Sequence, residues 1–160
     1  MTTTPQGPTN RLQDLARSTA YAATQAADAW KEAAYAVKAV EACDTAARTP
    51  GADAKHWTEQ FDAWAPEAEE RELNAWTLTE TARGLALATN QRAELDTERF
   101  RLNSAQASAA QTLQALARLT GDLGPTYPAE NYRQAAEQAE TYRTLLAALQ
   151  AAAKVLLLPW

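Results

Sequence analysis

PEAEERELNAWTLTETARGLALATNQRAELDTERFRLNSAQASAAQTLQALARL, Pro66 to Leu119, holds no proline after its first residue and one glycine, Gly84. No Asn-Gly, Asp-Gly or Pro-Gly pair interrupts it. Read as one helix, its 54 residues would run roughly 80 Å at about 1.5 Å per residue. A rod of that length cannot fold back on itself, so its neighbours must lie along it. The expected fold is therefore all-α: an elongated antiparallel bundle or coiled coil of three long helices plus one short aromatic helix. Within the stretch, Thr89 to Arg99 is polar and rich in poor helix formers. The alternative is a turn near Asn90, which would give a compact four-helix bundle. The absence of a strong turn residue favours continuity.

The flanking segments agree with a bundle. Met1 to Thr9 is Thr/Pro/Gln/Gly and reads as a mobile tail, leaving 10–160 as a single helical domain. A first helix starts at Asn10, with Asn10 as cap and Gln13 reaching back to it. It carries a three-four spacing for five heptads: Leu12, Leu15, Thr19, Ala22, Ala26, Ala29, Ala33, Ala36, Val40, Cys43, Ala47. Beside it runs a row seven apart, Ala16, Ala23, Trp30, Val37. Arg17, Thr24, Lys31, Lys38 and Thr45 form the opposite ridge and should face water. Thr49-Pro50-Gly51 turns the chain, and Asp53 caps a short helix whose apolar face is Trp57, Phe61, Trp64. Ala65-Pro66 is expected to break or kink it. The long helix then shows Ala68, Ala75, Leu78, Ala82, Leu85 in its first half. Its second half shows Leu95, Leu102, Ala105, Ala109, Leu116, Leu119. Thr120 to Pro128 is a loop, with Pro128 at the first position of the last helix. That helix has the seam Tyr132, Ala135, Ala139, Tyr142, Leu146, Leu149, Ala153, Leu156, with Trp160 next in register.

Composition bounds the function. The chain of 160 residues is 46% hydrophobic and 22% charged, with 5 Gly, 7 Pro and a net charge of −5. That is enough apolar material for a core, and the acidic balance disfavours nucleic acid and anionic membranes as partners. Arg92, Arg99 and Arg101 are interleaved with Glu94, Asp96 and Glu98, whereas a phosphate-binding face would be one-sided. The start has neither a basic region nor an apolar run, and no stretch is long enough to span a bilayer. The cytoplasm is the expected compartment.

No chemistry-bearing constellation stands out. A di-iron carboxylate bundle needs two Glu-x-x-His pairs, and this chain has one histidine, His56. Cys43 lies on a buried seam and reads as a small hydrophobe. Ser18, Ser104 and Ser108 have no histidine near them in sequence. The acidic cluster Glu67, Glu69, Glu70, Glu72 reads as a solvated helix start. No glycine-rich phosphate loop occurs, so no cofactor or metal is expected. The feature above background is aromatic: Trp57, Phe61 and Trp64, then Trp76, at one end of an alanine-lined rod. It is either a plug for the bundle end or a partner site. The tail Val155-Leu-Leu-Leu-Pro-Trp160 offers Leu157 and Trp160 as further partner contacts. The expected function is a non-enzymatic structural or adaptor protein acting through helix-mediated contact, with a protein partner or a second copy of itself. The competing expectation is a small-molecule-binding or enzymatic bundle with its pocket at the Trp57/Phe61/Trp64/Trp76 end.

Overall fold

The computed structural model describes residues 9–99, 102–126 and 131–158. Among them are four helices and no strand: α1 (Asn10–Arg48), α2 (Ala54–Arg99), α3 (Ser104–Leu123) and α4 (Tyr132–Val155). The protein is an all-α helical bundle. α1 lies against α2 and α4, and α3 lies against the same two, while α1 and α3 make no direct contact. The four helices thus go round a square in chain order.

α1 and α2 form the long edge. Thr9 caps α1, its Oγ1 accepting from the Leu12 amide at 3.2 Å, so the cap sits one residue before the expected Asn10. Thr9 also donates from its amide and hydroxyl to Asp96 Oδ2 at 3.2 and 2.6 Å. Residues 1–8 of the expected tail lie outside the described residues, and Thr9 is part of the helix start. Further along, Thr19 and Thr89 pair at 2.8 Å, Trp30 Nε1 donates to Thr79 Oγ1 at 2.7 Å, and Arg71 reaches the Glu32 carbonyl at 3.4 Å. As one number rises the other falls, which makes the pair antiparallel. The expected α1 seam is buried from Leu12 to Cys43 except Leu15, and the row Ala16, Ala23, Trp30, Val37 is fully buried.

The division of the middle of the chain differs from expectation in two places. Of the expected break or kink at Pro66, the break does not occur: α2 runs from Ala54 through Pro66, so the short aromatic helix and the first part of the long one are a single element. Proline removes one backbone hydrogen bond at this point. Phe61, Trp64 and Ala65 before it and Ala68 after it pack on one cluster with Ala36, Val37 and Val40, and that packing carries the helix across. The helix does not then continue to Leu119. α2 ends at Arg99 and α3 starts at Ser104, about ten residues beyond the alternative turn at Asn90. Asn103 makes a full capping box with Gln106, which stabilises a new start without glycine or proline. Leu95 and Leu119 of the expected second seam are about half exposed, because that heptad spans the break between α2 and α3.

The polar segment 89–96 is the real seam of this part of α2. Thr89, Asn90, Ala93 and Asp96 are buried at helical spacing, and each polar member has a partner. Thr89 meets Thr19, Asn90 Nδ2 donates to the Ala110 carbonyl at 2.8 Å, and Asp96 takes Thr9 and Arg92. Together with Arg83 Nε on the Ala117 carbonyl at 2.8 Å, the Asn90 bond sets α3 antiparallel to α2. α4 starts at Tyr132 with Asn131 as cap, and Pro128 lies outside the described residues. Its seam Ala135 to Leu156 is buried at every expected position, and Tyr132 is half-buried.

The core is mostly alanine, so a few large side chains carry much of the burial. Trp30 is fully buried and stacks on Tyr142 of α4, ring centroids 4.4 Å apart and nearly parallel. The Tyr142 hydroxyl donates to the Gly124 carbonyl at the exit of α3. Burial, with the Glu80 carboxylate nearby, pushes this phenol up to about 12. Leu12, Leu113, Leu146, Leu149 and Leu156 are the next largest fully buried side chains. From Glu41 to Gln60 only Cys43 is buried, so the α1–α2 hairpin is thinly covered at its turn end.

Candidate functional site

The aromatic end is built by the last turns of α1, the first turns of α2 and the start of α4. Asp53 caps α2, accepting from the His56 amide at 3.1 Å, which fixes the rotation of the following turns. Phe61 and Trp64, three apart, then face inward and are half-buried. Phe61 meets Tyr132 edge-on at 5.9 Å, and Trp64 meets Tyr35 edge-on at the same distance. Arg71, about two turns further along α2, stands over the Trp64 ring at 5.9 Å while its Nε holds Glu67. Trp57 is half-buried, with the exposed His56 ring against it. Phe61 and Trp64 thus have their ring edges and faces engaged by the bundle's own side chains.

The six residues singled out from sequence do not form one site. Trp76 packs on the main core with Trp30 and the α4 leucines, apart from the Phe61–Trp64 cluster. Leu157 also packs on that main core. Trp160 lies outside the described residues. A pocket lined jointly by Trp57, Phe61, Trp64 and Trp76 is therefore not assembled among the described residues. The acidic run 67–72 is not a helix start either, since α2 begins at Ala54, and Glu72 is buried instead of solvated. Cys43 is buried on α1, and among the described residues no group of three or more His, Cys, Asp or Glu is placed to hold a metal ion. No described helix is long and apolar enough to cross a membrane.

A second surface stands out once the helices are in place. Between α3 and α4 runs an open groove of about 490 Å³ lined by Ala105, Ser108, Ala109, Thr112, Ala148, Ala151, Ala152 and Val155. Every residue from Ser104 to Ala117 and from Thr144 to Ala153 is uncharged, including the exposed ones. Ala105, Ser108, Thr112, Ala148 and Ala151 face solvent there. A water-facing helix surface ordinarily carries charge, as α1 does at Arg17, Lys31 and Lys38. The signal was present in the sequence as two charge-free runs. It is hidden there by the heptad count, which treats both runs as seam and ignores what lies on their outer side. No protein-family model, no curated protein and no solved structure matches the chain.

Proposed function

We propose that this protein is a non-enzymatic helical adaptor, working in the cytoplasm, that acts by helix-to-helix contact and associates with a second copy of itself through the α3–α4 face. The observation that carries this reading is the absence of charge from Ser104 to Ala117 of α3 and from Thr144 to Ala153 of α4. Small side chains let a facing helix approach toward the near end of the usual 8–10 Å range. With no charge to strip of water, closing the face avoids the penalty that a buried unpaired ion would impose. A partner that fits must itself be smooth and uncharged, and this chain presents such a surface. A two-fold axis brings the same face of two copies together.

The dimensions set the strength. The charge-free run of α3, Ser104 to Ala117, is about 21 Å long at about 1.5 Å per residue, and two helices side by side are about 20 Å wide. The resulting patch of about 400 Å² per copy is about half the ~800 Å² of a standard stable interface. The association should therefore be weak and concentration-dependent, in the micromolar range. Sedimentation equilibrium across that range tests it. Ala148→Glu should leave the fold intact and hold the protein monomeric, and mixing it with Ala148→Arg should restore association. A wild-type protein that stays monomeric to high micromolar concentration would remove the reading.

A further inference from the structure

The α3–α4 groove is hollow, and one of the helices that walls it also carries a projecting apolar side chain. Ala105 and Thr112 of α3 line the groove, and Leu119 lies seven residues beyond Thr112, two turns along the same row. Leu116 beside it packs on the main core, whereas Leu119 stays outside, 51% exposed. α4 runs antiparallel to α3: Val155 near its end shares the groove with Ala105, and Gln138 near its start donates to the Leu123 carbonyl at 2.7 Å. The hollow thus occupies the Ser104 end of this face, and Leu119 stands toward the Leu123 end.

Two copies meeting like end to like end would set hollow on hollow and Leu119 level with Leu119. Side chains that line an unfilled space lose their packing contacts. A two-fold axis across the middle of α3 does the opposite. That middle lies between Leu113 and Gln114, so turning the helix end for end brings Leu119 level with Ser108, in the central part of the groove wall. Leu119 of each copy then enters the hollow of the other, and the contact is reciprocal, as an isologous interface requires. This register also covers all 20 residues of α3, about 30 Å, beyond the charge-free run alone. At a width of about 20 Å the footprint is about 600 Å² per copy. The total of about 1,200 Å² reaches the lower edge of specific interfaces. Arg118 and Asp122, both exposed, fall in the last two turns, at the rim.

We propose that the partner copy docks antiparallel, with Leu119 of each chain seated in the α3–α4 groove of the other. The inference rests on the self-association proposed above and adds its orientation and the residue that sets it.

The test uses the full chain carrying Cys43→Ala, so that an introduced thiol is the sole one. Mixed Leu119→Cys and Ser108→Cys proteins should form a disulfide-linked dimer under mild oxidation. Neither protein alone should do so, because like residues would lie about 16 Å apart along the pair, beyond disulfide reach. Leu119→Ala, at a half-exposed position, should melt like the wild type and associate roughly tenfold or more weakly in sedimentation equilibrium. A wild type that associates while Leu119→Cys alone cross-links and the mixture does not would overturn the register and leave self-association standing. So would a Leu119→Ala variant that associates as tightly as the wild type. A wild type monomeric to high micromolar concentration would remove both.

Discussion

Truncating Trp30 to alanine probes whether a mostly alanine core depends on its few large side chains. Trp30 is fully buried, its ring lies parallel to Tyr142 at 4.4 Å, and its Nε1 donates to Thr79. Its buried neighbours on α1, Ala26, Ala33 and Ala34, are too small to refill the space. Removing a buried large aromatic costs about 3–5 kcal/mol, with poorly collapsing sites at the upper end. The lost stack accounts for about 0.5–1.5 kcal/mol beyond area. Because these contributions overlap, the expected loss is about 4–5 kcal/mol. Against a typical total of about 5–15 kcal/mol, that leaves the fold marginal. Trp30→Phe keeps a ring against Tyr142 and removes the indole N–H. Thr79 Oγ1 still bonds to the Ala75 carbonyl, so no orphan is created and the expected loss is only about 1–2 kcal/mol. Urea denaturation followed by far-ultraviolet circular dichroism measures both without relying on the deleted fluorophore. If Trp30→Ala lost less than about 2 kcal/mol at unchanged urea dependence, the alanine seams would be holding the bundle by themselves and the reasoning would fail.

Tyr142 gives an alkaline signature: folded near 12 and unfolded near 10, it leaves stability untouched below pH 10 and removes up to about 3 kcal/mol as pH rises from 10 to 12. Its phenolate absorbance should therefore appear only with unfolding, and Tyr142→Phe should flatten that part of the stability curve. Two helical glycines should respond oppositely to alanine. At Gly84 an added Cβ meets nothing within 4 Å, so Gly84→Ala should stabilise by about 0.5–1 kcal/mol in a thermal melt. At Gly121 the same atom would lie 2.5 Å from Arg83 Nε, which holds the Ala117 carbonyl. Displacing that guanidinium should cancel the propensity gain or reverse it, and equal stabilisation at both sites would contradict the packing described.

α1 and α4 were readable because their seams are apolar, unbroken and bounded by turn residues or caps. The α2–α3 boundary is not, because it carries neither glycine nor proline. Asn103 and Gln106 make that boundary through a capping box, a pattern that was in the sequence but lay inside an apparently regular heptad. The polar run from Thr89 to Asp96 looked like weak helix because its satisfaction is tertiary. Thr19, Ala110 and Thr9 come from other elements, and no local rule supplies them. Pro66 is the converse case, since its local strain argues for a break while the apolar contacts on both sides of it are tertiary. Phe61 and Trp64 pack on one cluster and Trp76 on another, a division that the shared aromatic character of the run does not reveal. Burial of Glu72 could not be inferred from a run of glutamates whose other members are exposed or half-exposed.

The ties between α1 and α2 also order events in time. From the Thr49–Asp53 turn outward they join residues 39, 49, 70 and 87 apart in sequence. Once the first is made, each later one closes only a short additional loop, so the hairpin can zip progressively instead of searching for distant partners. The Thr9–Asp96 clasp closes last and, on heating, is the natural place for the seam to begin peeling open. A probe on Thr9 would then report loosening well before one on Trp30.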